Sequence, residues 1–188
     1  MLAHLRSHLL LLAGSLVLCC VAYPLLIWGF AHAVAPASAA GGIVTRSDGK
    51  GGALLIAQEF KADKYFRPRP SAAGFNAAAS SGSNLSANNP KLRERVEGQL
   101  KDDFAGESGV PADAVTASGS GSGLDPHLTL ATAKLQVGRV AAARGKSVAD
   151  IQAVLTAMAF TPLLGLAGEP LVNVLAVNLE LDSPTAAR

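Results

Sequence analysis

Leu9-Leu10-Leu11-Leu12-Ala13-Gly14-Ser15-Leu16-Val17-Leu18-Cys19-Cys20-Val21-Ala22-Tyr23-Pro24-Leu25-Leu26-Ile27-Trp28-Gly29-Phe30 is an almost unbroken apolar run. Its 22 residues would make roughly 33 Å of helix, enough to cross a hydrocarbon core of roughly 30 Å. No Asp, Glu, Lys or Arg stands between Ser7 and Thr45. Gly14 and Ser15 are tolerated in such a span because small residues let helices approach, and Pro24 is expected to kink it. Tyr23 and Trp28 stand where interfacial aromatics anchor a span. A cleavable signal peptide competes with this reading, since Ala37-Ser38-Ala39 forms a small-x-small site. The run is too long for a signal core of about 7–15 residues, so it is read as a retained anchor.

Working outward, Arg6 lies on the amino-terminal flank with His4 and His8, and the first acid is Asp48. The positive-inside rule then places the amino terminus in the cytoplasm. The expected organisation is a cytoplasmic amino terminus (1–8), a transmembrane helix (9–30), a tether (31–45) and an extracytoplasmic domain (46–188), which is periplasmic in a bacterium with two membranes. Both cysteines, Cys19 and Cys20, fall inside the span. The outer domain therefore has no disulfide and must rely on an ordinary core, for which its length suffices.

Composition narrows the partners. The 188 residues are 49% apolar, 16% charged and 5% aromatic, with 16 basic against 14 acidic side chains, and the mean hydropathy is +0.32. Disorder is excluded by that hydropathy, and a net charge of +2 leaves no electrostatic footprint for a phosphate backbone. Membrane lipid is an expected partner and nucleic acid is not.

In the outer domain, Ser47 to Gly52 reads as a turn and Ala53 to Gln58 as a short strand. Tyr65 to Asn89, rich in Pro, Gly, Ser and Asn, reads as a long irregular segment, a feature uncommon without function. Asn89-Pro90 is a helix start, followed by an apolar stripe of Leu92, Val96, Leu100 and Phe104. Gly119 to Gly123 breaks the chain. A second helix is expected from Thr129 to Arg144 with Gly145 as its C-cap, and a third opens at the Ser147/Asp150 capping pair and buries Ile151, Val154, Leu155 and Met158. After a turn at Gly165 to Pro170, Leu171 to Leu181 reads as a long strand. The fold class expected is α+β: one amino-terminal transmembrane helix and one mixed α/β extracytoplasmic domain around a small sheet.

Motifs that would carry chemistry are incomplete. Gly145-Lys146-Ser147 matches the tail of a P-loop, but position 140 is Val and a helix precedes. The alternating glycines of Gly119 to Gly123 are not a dinucleotide fingerprint. His127 is the one histidine of the outer domain and Asp125 stands two residues before it, so a serine hydrolase is conceivable, although no Gly-x-Ser-x-Gly elbow exists. Zinc would need a mostly carboxylate site, and no metal is expected. Arg67 and Arg69 flank Pro68 on a stiff segment and would either hold a carboxylate or be solvated.

Several blocks taken together resemble the C subunit family of the Kdp potassium-transporting ATPase. They are Tyr65 to Ala72, Ser81 to Leu85 with Asn89-Pro90, Val115 to Ser118, Gly123-Leu124-Asp125-Pro126, Gln136-Val137 with Arg139-Val140-Ala141 and Ala143-Arg144, Gly168 to Leu175, Asn178-Leu179 and Leu181-Asp182. Two departures are visible: Pro68 stands where the family pattern has Gly, and the Gly/Ser turn is longer by one Gly-Ser pair. The resemblance implies an accessory, non-catalytic subunit beside a channel-like potassium-translocating subunit, a P-type ATPase subunit and a very small fourth protein. It implies that potassium is the transported ion and that the subunit raises the ATP affinity of the ATPase subunit; ATP as a ligand is a family implication only, since this chain has no motif for it. Arg67, Arg69, Ser71, Asn84, Asp125 and His127 are the candidate partner-facing residues. A membrane-anchored periplasmic hydrolase or binding module is the alternative.

Overall fold

The computed structural model describes residues 2–45, 51–117 and 121–183. The expected turn at residues 47–52 and the break at residues 119–123 therefore lie partly outside the described residues. The chain divides into two units, Met1–Ile43 and Val44–Arg188.

The first unit is helical. α1 (Leu2–Leu16) runs into a π-helical stretch (Val17–Ala22) and on into α2 (Tyr23–Val34), followed by a single turn, α3 (Pro36–Ala39). The widened turn has a local cause. Pro24 has no N–H, and its ring would press on the carbonyl four residues earlier. One residue before it, the Tyr23 N–H reaches back five positions to the Leu18 carbonyl. From His4 to Val34 the helix is apolar, with an 18-residue window of mean hydropathy 2.4 and none of that window buried by the chain itself. It is long and apolar enough to cross a membrane. The helix ends at Val34, where Ala35 departs to φ −142° ahead of Pro36.

In the second unit, β1 (Ile43–Thr45) and β2 (Gly51–Ala53) pair as a two-stranded ribbon. The strand expected over Ala53 to Gln58 is absent: Leu54 to Ile56 form a turn closed by the Ile56 N–H on the Ala53 carbonyl at 3.1 Å, and Leu55 is exposed. Ala57 instead donates its N–H to the Leu124 carbonyl at 2.8 Å. Residues 59–89 contain neither helix nor strand, which includes the whole irregular segment expected over Tyr65 to Asn89. α4 (Pro90–Asp103) starts where Asn89 accepts a hydrogen bond from the Lys91 N–H. Its Val96 and Leu100 pack with Phe104 against Ala114 and Val115, which lie on a short helix, α5 (Ala112–Val115), that the sequence reading did not foresee.

The remaining elements enclose the main core. β3 (His127–Thr129) leads into α6 (Leu130–Leu135) and α7 (Val137–Arg144), so the single helix expected from Thr129 is divided at Gln136. Gly145, at φ +63°, ends α7 as the expected C-cap, and the Ser147 hydroxyl caps α8 (Val148–Ala157) by accepting the Asp150 N–H. β4 (Leu171–Asn173) pairs antiparallel with β3 in the register His127↔Asn173, Leu128↔Val172, Thr129↔Leu171. The long carboxy-terminal strand is corrected: after Asn173 the chain turns helical as α9 (Val174–Asp182). The Asn173 side chain accepts the Ala176 N–H, and Val174, Leu175, Val177, Asn178 and Leu181 are buried at helical spacing. Leu128, Val137, Val140, Ile151, Leu155, Val172 and Val177 form the core, and Phe66 from the irregular segment is inserted among them.

Candidate functional site

The irregular segment is held by side chains. Phe66 donates its N–H to Asn178 Oδ1 at 2.8 Å and accepts from Asn178 Nδ2 at 2.9 Å. The next residue repeats the pattern: Arg67 donates its N–H to Gln136 Oε1 at 2.8 Å and accepts from Gln136 Nε2 at 3.0 Å. A carboxamide carries the donor and acceptor of a peptide group, so Asn178 and Gln136 supply what a neighbouring strand would. Arginines fasten the approach to this point. Arg139 donates to the carbonyls of Asp63 at 2.7 Å and Tyr65 at 3.0 Å, and Arg144 donates to that of Lys64 at 2.6 Å. The Asp182 carboxylate joins the Tyr65 hydroxyl at 2.9 Å to the Arg144 guanidinium at 2.9 Å. Burial, then the neighbouring Arg67 guanidinium, lower the pKa of Arg139, with Asp63 and Asp103 acting the other way; the group stays charged.

Beyond the clamp, the candidate residues divide. Arg67 is engaged inside the chain, pairing with Asp103 and, at 2.8 Å, with Asp63. Arg69 lies 3.6 Å from Asp125 Oδ2. The other oxygen of Asp125 accepts from the His127 N–H at 3.0 Å and meets His127 Nδ1 at 3.2 Å. Burial opposes ionisation of Asp125, but the ring and backbone hydrogen bonds of His127, its charge and that of Arg69 together hold the carboxyl below its usual pKa. Arg69, Asp125 and His127 thus form one cluster.

Ser71 ties the two loops. Its hydroxyl donates to the Gly123 carbonyl at 2.5 Å while accepting from the N–H groups of Ala73 and Phe75 at 3.2 and 3.0 Å. Ser81 donates its N–H to the Ser122 carbonyl at 2.9 Å. A side chain could not fit at Gly123, which has φ +71° and whose Cβ would stand 2.7 Å from the Ser81 carbonyl oxygen. Asn84 takes the left-handed backbone at φ +49°, as does Phe75 at φ +58°. Such backbone is uncommon for side-chain-bearing residues, and strained residues tend to gather at ligand and partner sites. Among the described residues no cluster of three His, Cys, Asp or Glu could hold a metal. The arrangement is a pair of loops held together by their own polar groups, with the Arg69, Asp125 and His127 side chains only partly exposed.

The chain matches, over residues 5–183, the family described as KdpC: K+-transporting ATPase, c chain. It belongs to the KdpC family. The potassium-transporting ATPase KdpC subunit of Caulobacter sp. strain K31 is 47% identical over 190 residues, covering 97% of this chain and 95% of the relative. That of Cereibacter sphaeroides strain KD131 is 45% identical over 187 residues, covering 99% and 100%, and that of Allorhizobium ampelinum is 44% identical over 193 residues, covering both chains in full. In this KdpC chain, Gln136, Arg139, Arg144, Asn178 and Asp182 belong to the motif blocks but are not among the candidate partner-facing residues. One signal was available: Gln136 and Asn178 interrupt otherwise apolar buried faces, and a polar side chain there needs a partner.

Proposed function

We propose that this KdpC chain is the accessory, non-catalytic subunit of an ATP-driven potassium uptake complex. It crosses the bacterial inner membrane once with its amino terminus in the cytoplasm, and residues 46–188 lie outside. There it stands against a channel-like potassium-translocating subunit, with a P-type ATPase subunit and a very small fourth subunit in the same assembly. The observation that carries this reading is the nearly end-to-end correspondence with chains named as potassium-transporting ATPase subunits. The loop surface bearing Arg69, Ser71, Asn84, Asp125 and His127 faces the channel-like subunit, and Arg67, paired with Asp63 and Asp103, fixes the segment that leads into it. The charge bias around Arg6 supports the orientation.

Any effect on the ATP affinity of the complex is exerted through coupling between subunits. Gly145 and Ser147 of the P-loop-like string serve as a helix C-cap and a helix N-cap, which favours a junction over a phosphate cradle. The hydrolase alternative is not favoured, because the nearly end-to-end correspondence is with chains named as potassium-transporting ATPase subunits. Co-purification from mild detergent tests the proposal. The tagged full chain should carry the channel-like and ATPase subunits with it in fixed proportion; recovery of the chain without them would refute the assembly.

A further inference from the structure

We infer that the cleft between α4 and the irregular segment is a binding site for a small carboxylate with an apolar body, held by Arg95. The cleft has a volume of about 550 Å³, within the range of small-molecule sites. Phe60, Pro68, Pro70 and Phe75 supply its apolar walls. Pro68, which stands where the family pattern has Gly, is thus part of the lining.

The charged lining leaves one cation over. Lys61, Arg67 and Arg95 share the cleft with Glu59, Asp102 and Asp103. Lys61 lies 3.3 Å from Glu59, and Arg67 pairs with Asp103 and, at 2.8 Å, with Asp63. Half-buried Arg95 has neither a hydrogen bond nor an ion pair among the described residues. Gln99, four residues on, donates instead to Asp103. The exposed Asp102, seven residues on, stands roughly 10 Å further along the helix. Among the described residues, the buried side-chain polar atoms without a hydrogen-bond partner are the Nε of Arg67, Arg69 and Arg95, and Arg67 and Arg95 both line this cleft. Buried donors are nearly always satisfied, so two such groups around one cavity point to an acceptor that enters it.

The chemistry of the lining selects the ligand. A guanidinium matches the two coplanar oxygens of a carboxylate. One negative charge balances Arg95, whereas a phosphate dianion would stand against the three acids of the cleft. The proline and phenyl walls favour a carboxylate that carries a hydrocarbon body. Phe75, on one of those walls, holds a left-handed backbone at φ +58° and donates its N–H to the Ser71 hydroxyl at 3.0 Å. That conformation is an outlier for a bulky residue, and such strain clusters at ligand sites.

The test uses the full chain in nanodiscs of zwitterionic lipid and the probe para-fluorobenzoate, followed by its fluorine NMR line width. Saturable broadening is expected, and the neutral para-fluorobenzamide should bind at least roughly tenfold more weakly, as should the benzoate to Arg95→Gln. The unfolding midpoint of Arg95→Gln should be unchanged, because Arg95 has no partner within the chain to lose. Absence of saturable broadening, equal binding of the two probes or undiminished binding to Arg95→Gln would overturn the site. If that variant misfolds, the two probes on the unsubstituted chain still decide. An anionic lipid head offers a single charge of the same sign, so inorganic phosphate and glycerophosphoglycerol are added as competitors. Neither should displace the benzoate, and full displacement by either would overturn the carboxylate assignment.

Discussion

Replacing Asn178 by Ala would leave the N–H and the carbonyl of Phe66 buried without partners. Each such group costs about 1–3 kcal/mol, so Asn178→Ala should lose about 2–5 kcal/mol of unfolding free energy in denaturant titration of the full chain in detergent. Asp125 makes a prediction in pH. Its folded-state pKa lies below the ordinary carboxylate value, so its stabilisation is complete above that value and is lost as pH falls through the folded one. The stability gap between the unsubstituted chain and Asp125→Asn should be fully open above the ordinary carboxylate range and shrink as pH falls through that range and below it. Arg69 lies 3.6 Å from Asp125, and the two side chains are only 17% and 22% exposed, so removing the guanidinium leaves a largely buried carboxylate with less compensation than in a surface pair. Arg69→Ala should therefore lower both the potassium-stimulated ATPase activity of the assembled complex and the unfolding midpoint of the chain; an unchanged midpoint would show that the pair does not stabilise the fold.

Among the elements, α9 shows where sequence reasoning succeeds and where it fails. Leu171, Leu175, Val177, Leu179 and Leu181 share one parity and suggest a strand, but the buried set Val174, Leu175, Val177, Asn178 and Leu181 has helical spacing. Apolar residues on several sides let both periods fit, and the residue that decides between them is Asn173, the last of the strand, whose side chain caps the helix that follows. Asn173→Ala would remove the cap and also the bond from its Nδ2 to the Leu54 carbonyl at 2.6 Å. A loss of about 1–2 kcal/mol is expected in thermal unfolding, with the helical circular dichroism reduced. α4 and α8 were legible because cap and apolar stripe agree in each. In the candidate site the residues could be named from the sequence as candidates, but their hydrogen-bond partners could not. Arg69, Ser71, Asp125 and His127 come together as a loop surface, yet the bonds that shape the segment join residues 52, 69 and 112 positions apart, and no local rule predicts such pairs.

For the whole molecule, the side of the membrane is the decisive question. A single cysteine placed at Ser183, in a chain with Cys19 and Cys20 changed to serine, should react with an impermeant maleimide applied outside spheroplasts; labelling only after lysis would reverse the orientation. The carboxamide clamp also has a bearing on biogenesis. Phe66 waits for Asn178, 112 residues later, and Tyr65 for Asp182, 117 residues later. At about 5–20 residues per second, ribosomes need roughly 6–20 s to make that interval. Throughout it, Phe66 is an unclosed aromatic on a nascent chain whose anchor has already been made, available to chaperones and proteases alike. The contacts that seat Phe66 and Tyr65 can therefore form only after the carboxy-terminal helix has been made.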